Sequence, residues 1–216
     1  MQQLDNFSSL CNLTDGRDKI YKTLGGAAKV LGSVPNPHAK KFAALSKAIG
    51  DGRSLMRMGK WTSNISKIEG HASKASSLGA KQAVEIARVL GDFGYVVGDN
   101  MQYLAKFGLF GPNIVSKNVA AQSKVFQFYG FVFALVLDIY NLIKEQTAEV
   151  VNKKKVRDCI ISLFKNLCDF LACLAAVGYA KSLGYNPSGT FTGLCSFTSG
   201  AIATHANWKK ITDKKK

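Results

Sequence analysis

Histidine and cysteine are the residue types best suited to hold a metal or act as a nucleophile, and their spacing here favours neither role. His38, His71 and His205 are isolated, because none has a second metal ligand three or four residues away. The cysteines are odd in number and form no C-x-x-C pair. We therefore expect no metal site, no cofactor and a reducing compartment that keeps all five thiols free: Cys11, Cys159, Cys168, Cys173 and Cys195.

Carboxylates are the other candidates for chemistry. Asp92 and Asp99 lie one heptad apart on a predicted helix and can share a face, but paired carboxylates support acid–base catalysis only within a cleft. Asp138 interrupts an apolar run, and it either lines a polar path or is a paired structural residue, the interpretation we prefer. The sequence contains no phosphate-binding loop, dinucleotide fingerprint or serine-hydrolase elbow. We assign no catalytic residue and expect no enzymatic activity.

Glycines recur at helical spacing in two stretches, where their small size is the useful property. A water-exposed glycine costs a helix about 1 kcal/mol relative to alanine, so a ridge of glycines indicates the close approach of another helix. We expect such packing, within the chain or between copies, at six positions: Gly91, Gly94, Gly98, Gly189, Gly193 and Gly200.

The composition narrows the class of protein that carries these residues. Hydrophobic residues make up 47% of the 216 residues, yet the net charge is +15. This combination excludes a disordered chain and leaves a nucleic-acid binder or a protein held against anionic lipid. The charge is concentrated at the ends, with +8 in residues 1–81 and +4 in residues 209–216. Because basic flanks around apolar segments are typical of membrane proteins, we favour the membrane and expect no nucleic-acid partner.

Helical periodicity in the apolar blocks predicts an all-α, membrane-associated protein with one to three membrane-embedded helices. Residues 188–208 contain no Asp, Glu, Lys or Arg and are the first candidate span, ended by the interfacial Trp208 and the basic Lys209. Residues 125–143 are the second candidate. Residues 159–179 are apolar on one side and are expected to lie flat or to pack on a neighbour.

These features predict three regions along the chain. Residues 1–81 form a basic helical region that contains an amphipathic helix at 39–60. Residues 82–208 form a membrane-associated, glycine-rich helical region, and residues 209–216 form a basic tail.

The basic amphipathic helix at 39–60 is the candidate membrane-binding element. Its narrow apolar face contains alanines, and Gly50 and Gly52 interrupt it. The alternative is an ordinary helix that packs its apolar stripe on its own domain. The predicted membrane-binding residues are Lys40, Lys41, Phe42, Leu45, Lys47, Ile49, Arg53, Met56 and Arg57.

Three segments, in order, resemble the peroxin-11 family of peroxisomal membrane proteins. They are residues 15–24 (DGRDKIYKTL), 53–60 (RSLMRMGK) and 88–95 (RVLGDFGY), the last followed by Asp99 and Asn100. We refer to these segments as the first, second and third motifs. The motif residues given most weight are Gly16, Arg17, Asp18, Lys19, Gly91 and Asp92.

The resemblance implies a protein of the peroxisomal membrane, or of the glycosomal membrane in a kinetoplastid, with both termini in the cytosol. In this family a basic amphipathic helix enters the cytosolic leaflet, copies oligomerise, and the membrane is drawn into tubules before fission. The implied partners are anionic lipid, further copies of the chain, the import receptor for peroxisomal membrane proteins and the fission machinery. The alternative function is a metabolite pore or channel lined by Asp92, Asp99 and Asp138.

Overall fold

The computed structural model describes residues 2–73, 79–111, 113–115 and 117–213. In this part of the chain every regular element is an α-helix, which confirms the predicted all-α class. The helices are α1 (Gln2–Asn12), α2 (Thr14–Ser33), α3 (Ala39–Met56), α4 (Trp61–Ala72), α5 (Ala80–Ala105), α6 (Lys117–Gln146), α7 (Lys153–Val177), α8 (Tyr179–Ser182) and α9 (Gly189–Asp213).

Local sequence signals set several of the helix ends. Pro35 and Pro37 separate α2 from α3, because proline disfavours helical conformation in the residue before it. The side chain of Asn152 caps α7 by accepting hydrogen bonds from two backbone N–H groups of its first turn, both at 3.1 Å. Gly178 ends α7 with a φ of 82°, and Gly59 lies between α3 and α4 with a φ of 75°. Both glycines therefore adopt a conformation that other residues rarely tolerate.

The described helices group into two compact units. The terminal unit comprises Met1–Met56 and Tyr185–Lys216, and the central unit comprises Arg57–Gly184. This grouping differs from the predicted division after residues 81 and 208, because α9 packs on α2 and joins the two ends of the chain. Residues 214–216 of the predicted basic tail lie outside the described residues.

In the terminal unit, α2 is the central helix. It packs against both α9 and α3, and α1 contacts α2 and α9. The approach of α9 is close, since a Cβ atom added to Gly26 would lie 2.8 Å from the Cα atom of Phe197. Gly32 meets α3 in the same way, because an added Cβ atom would lie 2.7 Å from the backbone nitrogen of Ala43. Glycine thus allows both helices to approach the backbone of α2.

In the central unit, α4, α5, α6 and α7 pack in the order of the sequence. The α5–α6 contact is close at Gly91, where an added Cβ atom would lie 2.6 Å from the Cα atom of Gly130. Helices α6 and α7 are antiparallel, because Asp138 near the end of α6 contacts the middle of α7, whereas Gln127 near its beginning contacts Cys173.

Two helices of the described chain are long and apolar enough to cross a membrane, namely Asn118–Gln146 and Lys153–Val177. In the most apolar 18-residue stretch of each helix, only 28% and 22%, respectively, is buried within the chain. Most of this apolar surface therefore faces outward. The prediction of one to three membrane-embedded helices is confirmed to this extent. The predicted first candidate, residues 188–208, is not among them, because its threonines, serines and glycines lower its mean hydropathy.

Candidate membrane-binding surface and motif contacts

The first and second motifs meet at the buried carboxylate of Asp18. Its two oxygens accept hydrogen bonds from Arg53 Nε and Lys19 Nζ, each at 2.9 Å. Burial alone would raise the pKa of Asp18, but the two neighbouring cations outweigh it and hold the pKa of this carboxyl well below its usual range. Burial alone would lower the pKa of Lys19, but the neighbouring carboxylates of Asp18 and Asp15 outweigh it, so the pKa of Lys19 is raised. This charged cluster joins α2 to α3.

The second motif also contacts the third, through Arg57. Its Nη2 and Nε atoms donate to one carboxylate oxygen of Asp99, at 2.9 and 3.2 Å, and its guanidinium carbon lies 5.4 Å from the ring centre of Tyr95. Arg57 is only 9% exposed, so the pair is largely shielded from water. Asn100 adds two hydrogen bonds, because it accepts from the N–H of Gly59 and donates to the carbonyl of Arg57. The chain after α3 is thereby attached to α5.

Sequence reasoning identified these motifs but missed the contacts between them. The available signal was the placement of opposite charges in separate motifs. Such a signal does not name the partner of each charge, because the first and third motifs offer several carboxylates to the arginines of the second. The structure assigns Arg53 to the terminal unit and Arg57 to the central unit, although the two residues are four positions apart.

The structure divides the predicted membrane-binding residues into two groups. Lys40, Lys41 and Lys47 are exposed, and Leu45 is 49% exposed. The remaining five side chains are partly or fully buried: Phe42, Ile49, Arg53, Met56 and Arg57.

Packing on α2 accounts for one side of α3. A Cβ atom added to Gly25 would lie 3.1 Å from Ile49 Cγ2, and Ser46 Oγ donates to the carbonyl of Gly25 at 3.0 Å. The opposite side of α3 has no described helix against it in the terminal unit and also presents Leu55, which is 54% exposed. We define the α3 outer face as Lys40, Lys41, Leu45, Lys47 and Leu55.

The six predicted packing glycines all lie where helices of the chain approach each other. Those of α5 face α6 and those of α9 face α2: Gly91, Gly94 and Gly98 in the first helix, and Gly189, Gly193 and Gly200 in the second. These contacts are within one chain. Packing between copies stays a prediction.

The paired carboxylates of α5 both accept hydrogen bonds from residues that precede this helix in the chain and pack against it. Asp92 accepts a hydrogen bond from Asn64 of α4 at 3.1 Å, and Asp99 accepts those of Arg57. Their shared face is therefore used for packing within the central unit. Among the described residues, no three His, Cys, Asp or Glu side chains converge on a metal site.

Asp138 is paired across the α6–α7 contact. It is 7% exposed, and its carboxylate accepts hydrogen bonds from Ser162, at 2.9 Å, and from Asn166. Both partners lie on α7, so the carboxylate links the two apolar helices. This is the structural pairing that the sequence favoured over a polar path.

The outward surfaces of α6 and α7 carry large apolar side chains that are at least 40% exposed. Exposed apolar side chains in this number are unfavourable in water but suit hydrocarbon. Its members are Phe126, Tyr129, Val136, Ile139, Tyr140 and Ile143 on α6, and Ile160, Ile161, Phe164 and Leu167 on α7.

Comparison with known families agrees with this architecture. The family model described as Peroxisomal biogenesis factor 11 (PEX11) matches residues 4–208, which include all three motifs and both apolar helices. The chain belongs to the PEX11 family. The match confirms the resemblance seen in the motifs. No curated protein and no solved structure matches the chain significantly.

Membership of the PEX11 family defines the general role of the protein. The family acts in peroxisome biogenesis, through proliferation of the organelle and remodelling of its membrane. The protein is accordingly associated with the peroxisomal membrane. PEX11 is a family of biogenesis factors and is not a known enzyme family.

Proposed function

We propose that this PEX11 protein elongates the peroxisomal membrane by inserting the α3 outer face into the cytosolic leaflet, while α6 and α7 hold the chain in the bilayer. The observation that carries the proposal is the arrangement of α3. One side of this helix is attached to α2 by packing and by the Asp18–Arg53 pair, and the other side presents three lysines and two leucines to the surroundings.

Charge and apolar area act together on such a face. Each lysine near an anionic membrane surface contributes about 1 kcal/mol of attraction. The side chains of Leu45 and Leu55 can enter between headgroups, where their apolar area leaves water. Because only two large apolar residues are available, the lysines supply most of the affinity, and insertion into one leaflet expands that leaflet and favours curvature.

The proposal narrows the set of membrane-binding residues. Ile49 contributes to the contact with α2, Arg53 pairs with the buried carboxylate of Asp18, and Arg57 pairs with the partly buried carboxylate of Asp99. Ile49 and Arg53 hold α3 on α2, Arg57 acts within the central unit, and in this proposal none of the three contacts lipid.

Topology and partners complete the proposed function. Two crossings by α6 and α7 keep both termini in the cytosol, where the basic ends of the chain meet anionic lipid. Oligomers of the chain concentrate the inserted helices, the import receptor delivers the protein to the peroxisome or glycosome, and the fission machinery divides the resulting tubules. The chain needs no enzymatic activity for this role.

The test uses the full-length protein reconstituted into vesicles that contain anionic phospholipid. We expect the double variant Lys40→Gln, Lys47→Gln to form far fewer membrane tubules than the wild type, because each lost lysine weakens the surface contact about fivefold. The matched control is Lys29→Gln, Lys67→Gln, which removes two exposed lysines from α2 and α4.

Two outcomes decide the matter. Loss of tubules in the α3 variant with normal tubules in the control supports the proposal. Equal tubulation by all three proteins, counted by electron microscopy in vesicles that contain the same amount of protein, contradicts it.

A further inference from the structure

The connection between α6 and α7 exposes an unusual combination of apolar and basic side chains. Val150 is 86% exposed and Val151 is 51% exposed. After Asn152, three lysines are exposed in the first turn of α7: Lys153, Lys154 and Lys155. We call these five residues the turn patch.

The position of the turn patch follows from the antiparallel pairing of α6 and α7. Asp138 contacts Asn166, and Gln127 contacts Cys173, so the end of α6 and the beginning of α7 lie side by side. These are the two helices that are long and apolar enough to cross a membrane. The turn patch therefore lies where the apolar surface of the helix pair ends, which is the level of lipid headgroups.

The stability of α7 does not account for the three lysines. Cations in the first turn of a helix oppose the helix dipole, so this position disfavours lysine. Asn152 already caps the helix. Within the described chain, Lys155 pairs with Glu145 at 3.8 Å, and this contact is weak because it is long and the lysine side chain is 64% exposed. No carboxylate of the described chain pairs with Lys153 or Lys154.

We propose that the turn patch is a second membrane contact, in which Lys153, Lys154 and Lys155 bind the phosphates of anionic phospholipids and the two valines enter the headgroup region. The positive charge of the lysines and their position at the end of the apolar helix pair both match anionic phospholipid headgroups. The inference rests on the part of the proposed function that places α6 and α7 in the bilayer. It holds for either orientation of the helix pair, because the turn reaches a headgroup layer in both.

The experiment places a tryptophan probe at position 150 of the full-length chain. The variant Val150→Trp is made in a background of Trp61→Phe and Trp208→Phe, so that it carries a single tryptophan. The protein is reconstituted into vesicles of phosphatidylcholine alone, or of phosphatidylcholine with phosphatidylserine, that contain brominated acyl chains. We expect the emission of the probe to be blue-shifted and quenched in anionic vesicles and much less so in neutral ones.

Charge removal then tests the role of the lysines. Adding Lys153→Gln, Lys154→Gln and Lys155→Gln should lower the quenching in anionic vesicles to the level measured in neutral vesicles. The reason is that each lost lysine weakens the contact with anionic lipid about fivefold. The matched control, Lys40→Gln, Lys41→Gln and Lys47→Gln, removes the same charge from α3 and should leave the probe unchanged. If the quenching of the probe is equal in both kinds of vesicle, or if it does not change when the three neighbouring lysines are replaced, the inference is wrong.

A second probe separates this inference from the proposed function. Val136 lies on the outward surface of α6 and is 46% exposed, so Val136→Trp in the same background reports insertion of the helix. Quenching at position 136 without quenching at position 150 overturns the turn patch and leaves the membrane anchor intact. The absence of quenching at position 136 overturns both. If Val150→Trp does not fold, as judged by circular dichroism, Val151→Trp replaces it.

Discussion

The buried carboxylate of Asp18 depends on two cations that come from different parts of the terminal unit. Lys19 is its neighbour in α2, whereas Arg53 reaches it from the far end of α3. Because a buried charge without a partner is costly, this contact requires α3 to keep its position on α2. The family motif that contains DGRDK thus has a physical role in positioning the proposed membrane-binding helix.

Removal of Arg53 tests that role. We expect Arg53→Ala to destabilise the terminal unit by about 1–3 kcal/mol, because the buried carboxylate of Asp18 then loses the guanidinium that donates to it. Lys47→Ala, on the exposed side of α3, should change stability by less than about 0.5 kcal/mol. Hydrogen exchange of the α2 and α3 amides in detergent micelles measures both. Equal protection in the two variants would show that the pair does not position α3.

The lowered pKa of Asp18 also predicts the pH dependence of this contact. The ordinary pKa of the group is 3.8, and the folded chain holds it lower. The unfolded chain therefore binds the proton more readily, so the contribution of Asp18 to stability is complete above about pH 4 and is lost as the pH falls below it. Protection of the α2 and α3 amides, taken relative to their exchange rates in an unfolded chain at the same pH, should decrease below about pH 4 in the wild type. Asp18→Asn should show less of this decrease, and an unchanged profile would contradict the assignment.

At the scale of the helices, glycine has opposite effects at two positions of the terminal unit. Gly26 lies against α9, where an added Cβ atom would come within 2.9 Å of the carbonyl oxygen of Gly193. Gly52 lies in α3, where an added Cβ atom would meet nothing within 4 Å. The same substitution should therefore have effects of opposite sign.

We expect Gly26→Ala to destabilise the terminal unit by about 1–3 kcal/mol, because α2 and α9 must move apart. Gly52→Ala should stabilise α3 by about 0.5–1 kcal/mol, because alanine loses less conformational entropy in a helix. Chemical denaturation followed by circular dichroism in detergent gives both values. Destabilisation by Gly52→Ala would mean that α3 does not have the open outer side described above.

The helices themselves were predictable because their signals are local. Apolar periodicity, the prolines at 35 and 37 and the glycine ridges can all be read within one turn or two of the chain. The partner of each helix was not predictable, since it depends on which surfaces meet in three dimensions. The apolar stripe of α3 illustrates this, because the same pattern suits lipid and α2, and the structure uses Ile49 for α2.

The choice of membrane helices shows a second limit of local information. Residues 188–208 lack charge and were the first predicted span, but absence of charge is a weaker criterion than mean hydropathy. Serine, threonine and glycine are neutral without being strongly apolar, and in α9 they allow close packing on α2. Residues 159–177 contain Lys165 and Asp169 and still fall within a candidate span, because their other residues keep the mean hydropathy high. The two charges pair with each other at 3.8 Å.

At the scale of the whole molecule, the chain combines a net charge of +15 with two long apolar helices. The exposed lysines of α3 lie in the terminal unit, and the outward apolar surface lies on α6 and α7 of the central unit. A chain with both features should behave as an integral membrane protein that also binds anionic headgroups.

Alkaline carbonate extraction tests the integral part of this description. The wild-type chain should remain in the membrane pellet, because its apolar helices are held by hydrocarbon and not by charge. The double variant Lys40→Gln, Lys47→Gln should remain there equally. Release of the wild type into the supernatant would show that neither α6 nor α7 is inserted.

The shape of peroxisomes in living cells tests the central claim most directly. Cells that express the wild-type chain at a raised level should contain elongated, tubular peroxisomes when the organelle membrane is imaged by fluorescence. The variant Lys40→Gln, Lys47→Gln should reach the same membrane and leave the organelles round. If the wild type reaches the peroxisomal membrane and the organelles keep their length, or if the variant elongates them equally, membrane elongation by the α3 outer face is contradicted.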